Sequence, residues 1–82
     1  MTESPVPNAI IIIAGNGAYP RLLADSARMQ GVARIVAVAF RKETDPVIEK
    51  FCDTVQWIHL GQLGRLLEAL KAFDISTAVM AG

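Results

Sequence analysis

Three glycine-bearing bends and one arginine are the features of this chain whose residue types and spacing could do chemistry. The first bend, Gly15-Asn16-Gly17, follows an apolar run that ends at Ala14. Glycine lets a ligand's phosphate approach backbone N–H groups, and a helix beginning near Ala18 adds partial positive charge at the same place. The pattern fits a phosphate or nucleotide cradle. It fits as well a tight strand-to-helix turn that simply needs glycine. A second bend lies in Leu60-Gly61-Gln62-Leu63-Gly64, where Gly61 can supply the turn and Gln62 can present an amide toward the same rim. Gly64 falls inside a helical stretch, where glycine costs about 1 kcal/mol relative to alanine, so close approach of a backbone or a ligand is expected to offset it. The third is Gly82, at the end of Val79-Met80-Ala81.

An ordinary dinucleotide site does not follow. Pro20 stands where the third glycine of Gly-x-Gly-x-x-Gly belongs. Phe40 and Arg41 stand where an acidic residue would hold a ribose. Arg41 can meet a phosphate, as in proteins that prefer a 2′-phosphorylated cofactor, or it can be a solvated loop residue beside Lys42. His59 has no second histidine and no cysteine at metal-ligand spacing, so it reads as a satisfied strand-end histidine. Cys52 lacks activating neighbours. Asp25, Glu43, Asp45, Glu49 and Asp53 form no acid/base pair, and Asp45 reads as a helix cap. Neither a nucleophile–base pair nor a metal cluster can be assembled.

The elements that must position these residues alternate. Residues 1–7, with Pro5 and Pro7, read as a flexible lead-in. Ala9-Ile10-Ile11-Ile12-Ile13-Ala14 is β-branched and apolar on both faces, as a covered central parallel strand is. Residues 18–30 read as a helix closed by Gly31, with Pro20 tolerated in its first turn. Arg34–Phe40 is a second strand, and Asp45-Pro46 starts a short helix through about Phe51. Thr54–Ile58 alternates enough to lie at a sheet edge, and Trp57 in it reads as a packing residue. Leu63, Leu66, Leu67, Leu70 and Phe73 recur at helical spacing. Thr77–Ala81 is the last strand.

The order is therefore β-α-β-α-β-α-β, a Rossmann-like three-layer α/β half-domain spanning 8–82. Its four parallel strands are expected in order 3-2-1-4 with three helices. Ligands of such sheets bind beyond the carboxyl ends of the strands at the switch point. Here that crevice lies between Gly15-Asn16-Gly17 and Ala81-Gly82. Two open sheet edges predict self-association into a homo-oligomer.

Composition excludes several other classes. Of 82 residues, 52% are hydrophobic and formal charge is zero, from eight basic and eight acidic side chains. No basic stripe exists to neutralise nucleic-acid phosphates or to anchor the chain to a membrane surface. The longest apolar run is far short of the ~20 residues needed to cross a bilayer. An acidic N-terminus argues against a signal peptide, and a single cysteine fits a reducing compartment, so the cytoplasm is expected.

Three segments carry a resemblance. Ile13-Ala14-Gly15-Asn16-Gly17-Ala18-Tyr19-Pro20, Phe40-Arg41-Lys42-Glu43-Thr44-Asp45-Pro46 and Leu60-Gly61-Gln62-Leu63-Gly64-Arg65-Leu66 resemble the N-terminal domain of the LpxI-type UDP-2,3-diacylglucosamine pyrophosphatases. Val79-Met80-Ala81-Gly82 resembles the strand that in this family runs on into an Ala-Gly-x-Val-x-Arg-Pro loop. The resemblance covers nearly the whole chain from Ala9. It implies lipid A biosynthesis in Gram-negative bacteria: hydrolysis of the substrate's pyrophosphate to lipid X and UMP, assisted by a divalent metal such as Mg²⁺. It also implies a C-terminal domain carrying the metal-binding catalytic acid, before which this sequence is expected to be truncated. On this reading the chain is a substrate-binding part, inactive alone, cytoplasmic or peripheral at the inner membrane. Gly15, Asn16, Gly17, Arg41, Gly61, Gln62 and Gly82 are its candidate contacts. Competing readings are a small NADP-type domain using Arg41 and a non-enzymatic, self-associating module.

Overall fold

A computed structural model of the chain describes residues 8–70, 75 and 77–82. The elements are β1 (Ala9–Ala14), α1 (Tyr19–Met29), β2 (Arg34–Phe40), a 3₁₀ turn (Pro46–Lys50), β3 (Thr54–Ile58), a second 3₁₀ turn (Leu60–Gln62), α2 (Leu63–Leu70) and β4 (Ala78–Ala81). The four strands form one parallel sheet in the expected order β3-β2-β1-β4. The expected lead-in over 1–7 and the helical position of Phe73 fall outside the described residues.

Each strand's pattern explains its place. β1, buried from Ile10 onward, sits between β2 and β4, with Ile13 opposite Val38 on one side and Met80 on the other. Alternate side chains feed two cores. Ile10, Ile12, Ile35 and Ala37 pack against Ala24 and Ala27 of α1 and Ile48 of the first 3₁₀ turn. Ile11, Ile13, Val36, Val38, Phe40 and Ile58 form the opposite core, against which Leu63 and Leu66 of α2 pack. Helical elements thus cover both faces, giving three layers. Leu67, expected on the buried stripe, is 37% exposed at the margin of this face.

One element is tighter than expected. The short middle helix is a single 3₁₀ turn: Asp45 accepts the Val47 N–H at 3.0 Å as its cap, and Pro46 opens it. The helical segment is only five residues long, little more than one turn, and short 3₁₀ pieces are common as connectors. The helix of α1 ends as read, with Gly31 at φ +101°.

Entry into β3 is fixed by Asp53. Its carboxylate accepts the Ile35 N–H and an Arg28 guanidinium N–H, both at 2.8 Å. The backbone hydrogen bond first, and then the guanidinium, hold Asp53 below its usual carboxylate range. A carboxylate lowered in the folded state stabilises it above the unfolded value, and that contribution disappears as pH falls through the folded value. Unfolding followed from pH 6 downward is expected to show Asp53→Asn with a flatter acid limb than the parent below about pH 4. Identical slopes would remove this role from Asp53.

Candidate functional site

The ends of β1 and β4 meet backbone to backbone. The Gly15 N–H donates to the Ala81 carbonyl at 2.7 Å. A Cβ on Gly15 would collide with the Gly82 carbonyl oxygen and lie 3.1 Å from its carbonyl carbon. A Cβ on Gly82 would lie 2.8 Å from the Asn16 carbonyl oxygen. Both glycines are therefore required by close approach. The two loops expected at the switch point do lie side by side. Gly17, at φ +84°, then turns the chain into α1, whose first residues carry no side-chain cap and no acidic group.

Beyond this junction opens a crevice of about 440 Å³, within the range of small-ligand sites. Gly15, Asn16 and Gly82 form its backbone-rich end. Ile13, Phe40, Leu60 and Met80 supply apolar walls, and Glu43 is the one acidic residue that lines it. Met80 is 75% exposed and Leu60 70%, so these walls are open to solvent. The crevice can therefore take an apolar or planar group against its walls and polar groups at the glycine end and at Glu43.

Thr44, which sequence reasoning passed over, and Glu43, weighed there only as one of the unpaired acids, shape this rim. Thr44, buried, donates its hydroxyl to the Ala14 carbonyl at 2.7 Å and accepts the Phe40 N–H at 2.9 Å. It ties the loop after β2 onto the end of β1. The loop reverses sharply, with Glu43 and Thr44 N–H groups both donating to the Phe40 carbonyl at 3.0 Å and Lys42 at φ +70°. That reversal sends Glu43 into the crevice and Arg41 away from it. No periodicity announces such a contact. The only sequence signal was that both residues lie in a segment carrying the family resemblance.

The remaining candidates divide differently from the expectation of one rim. Arg41 and Gln62 line a separate groove of about 460 Å³ at the end of β3, together with Gln56, His59 and Arg65. Gln62 accepts the His59 N–H on its side-chain oxygen at 2.9 Å, and its own N–H donates to the His59 carbonyl at 2.9 Å. Its amide oxygen thus closes the turn. Gly61 lines neither cavity. A Cβ at Gly61 or Gly64 would meet nothing within 4 Å, so no close approach explains the glycine at 64.

The other reactive types are quiet. Burial, then the neighbouring Asp53 charge, push the Cys52 thiol up to about 11, which keeps it protonated at neutral pH. Trp57 packs against the α1-side core, and its indole N–H donates to Glu49 at 2.6 Å. Among the described residues no group of three or more His, Cys, Asp or Glu side chains could hold a metal ion. None of their helices is long and apolar enough to cross a membrane.

A parallel sheet of this strand order, open at the β1/β4 switch point, is a Rossmann-like α/β half-domain. Its particular kind is given by the family model described as the LpxI N-terminal domain, which matches residues 9–82: the chain belongs to that family. Membership carries a role in lipid A precursor processing. No curated protein and no solved structure matches the chain.

Proposed function

We propose that this chain is the substrate-binding part of a UDP-2,3-diacylglucosamine hydrolase, whose reaction adds water across the substrate's pyrophosphate to give lipid X and UMP. The observation that carries the reading is the open crevice at the switch point, whose end is bare backbone from Gly15, Asn16 and Gly82. The loop N–H groups that follow Gly15, whose own N–H is taken by the Ala81 carbonyl, and the uncapped start of α1 favour a phosphate there. Phe40 and Leu60 offer apolar surface to a base or sugar face, and the Glu43 carboxylate can accept a hydroxyl.

The resemblance places the acid that binds Mg²⁺ in a further domain, and among the described residues here no three donors for it converge. What this chain supplies is binding and orientation, which hold the reacting bond in place and lower the entropic part of the barrier. Calorimetric titration is expected to give saturable binding of UDP and no binding of NADPH. Binding of NADPH but not UDP would overturn the reading. The NADP-type alternative is disfavoured by geometry, because Arg41 lines the other groove and not the crevice.

A self-associating role has one observation in its favour. β4 is a sheet edge, and Met80 on it is exposed. Edge pairing at millimolar concentration is expected to raise the mass seen by light scattering, and Met80→Lys to lower it again. A monomer at every concentration would end this second reading.

A further inference from the structure

We propose that the groove at the end of β3 is a second anion site, separate from the glycine crevice, which takes a phosphate group between Arg41 and Arg65. Arg41 and Arg65 both line one groove of about 460 Å³, and no acidic residue lines it. In a chain whose eight basic side chains are matched by eight acidic ones, that is a local segregation of charge. The glycine crevice, by contrast, carries Glu43.

The position of Arg65 points the same way. It lies in the first turn of α2, where the helix dipole disfavours a cation, and no acidic residue shares that turn. The positive end of α2 and Arg65 therefore add their fields instead of cancelling, and an anion is the species that relieves both. The Arg41 backbone N–H donates to the Ile58 carbonyl at 2.9 Å, which fixes the main chain from which its side chain departs beside the end of β3. The Gln62 amide oxygen accepts the His59 N–H, and its NH₂ group adds two donors to the residues that line the groove. Two planar, permanently charged forks and an amide donor on residues of one groove match the oxygens of a phosphate better than any cation or apolar group.

The phosphate can belong to a soluble phosphorylated compound or to a lipid headgroup, and the same variants read both. The 82-residue chain is titrated with inorganic pyrophosphate by calorimetry and sedimented with phosphatidylglycerol or phosphatidylcholine vesicles. Arg65→Gln, the Arg41→Gln/Arg65→Gln pair and Arg34→Gln, at the opposite end of the sheet, are compared with the parent. The expected result is a saturable pyrophosphate-binding event that weakens at least tenfold in Arg65→Gln, is lost in the pair while binding at the glycine crevice persists, and is unchanged in Arg34→Gln. Binding of phosphatidylglycerol vesicles alone, with that same variant pattern, assigns the phosphate to a lipid headgroup. The proposal fails if the parent binds neither probe, if the pair binds as the parent does, or if Arg34→Gln weakens binding as much as Arg65→Gln. These exposed arginines are not core residues, and a circular dichroism melt confirms that each variant is folded. Failure here leaves the crevice reading standing, since Arg41 and Arg65 do not line the crevice.

Discussion

Replacing Thr44 with valine is expected to lower the stability of the chain by about 2–4 kcal/mol, the largest effect of any substitution near the site. The change keeps the shape of the side chain and removes only its hydroxyl. That hydroxyl donates to the Ala14 carbonyl and accepts the Phe40 N–H, so two buried backbone groups lose a partner at once. Leaving a buried donor or acceptor unmade costs far more than a hydrogen bond gains in net terms. Serine keeps the hydroxyl, and Thr44→Ser is expected to fall closer to the parent. Denaturant midpoints with unchanged slope check both variants. The consequence extends to the site, because the same hydroxyl holds the loop that carries Glu43 against the end of β1. A Thr44→Val protein as stable as the parent would mean that this tether does not matter.

The second large effect is expected at Gly15. Valine there places a Cβ against the Gly82 peptide, in space already filled by backbone, which cannot rotate away as a flexible side chain can. Overpacking of this kind costs about 1–3 kcal/mol. The ends of β1 and β4 must separate, and the 2.7 Å bond from the Gly15 N–H to the Ala81 carbonyl lengthens or breaks. Both stability and ligand affinity should therefore fall together. Gly17 provides the contrast: a Cβ there meets nothing within 4 Å, so Gly17→Ala carries only the strain of φ +84°. Parallel unfolding and UDP-binding measurements on the two variants separate packing from conformation. Equal stability of Gly15→Val and the parent would contradict the close approach.

The sheet was legible because its signals are local and redundant. The unbroken run Ile10–Ile13 demands cover on both faces, and only a central strand supplies it. The alternation Val55, Trp57 against Thr54, Gln56 marks an edge, which β3 is. With helices between strands, handed crossovers leave little choice of order. The middle helix was less legible, since an Asp-Pro start announces where a turn begins but not whether five residues close as α or 3₁₀.

The site was only half legible, for a physical reason. Gly15 and Gly82 stood out by type, and the switch-point rule put them together. The rule does not reveal that each glycine is needed by the other's backbone, which explains them without any ligand. Arg41 and Glu43 are two residues apart, yet they face different cavities because the chain reverses at Lys42. Thr44 makes its bond to Ala14 across 30 residues of sequence. Contacts of that kind follow from the folded loop and leave no periodic trace.

The most direct measurement is a nitrogen-15 NMR titration of the chain with UDP, followed residue by residue. Amide signals of Gly15, Asn16, Gly17 and Gly82 should move together and saturate at a common concentration. Saturating shifts confined to other parts of the fold, with these four amides still, would show that the junction of β1 and β4 is packing alone.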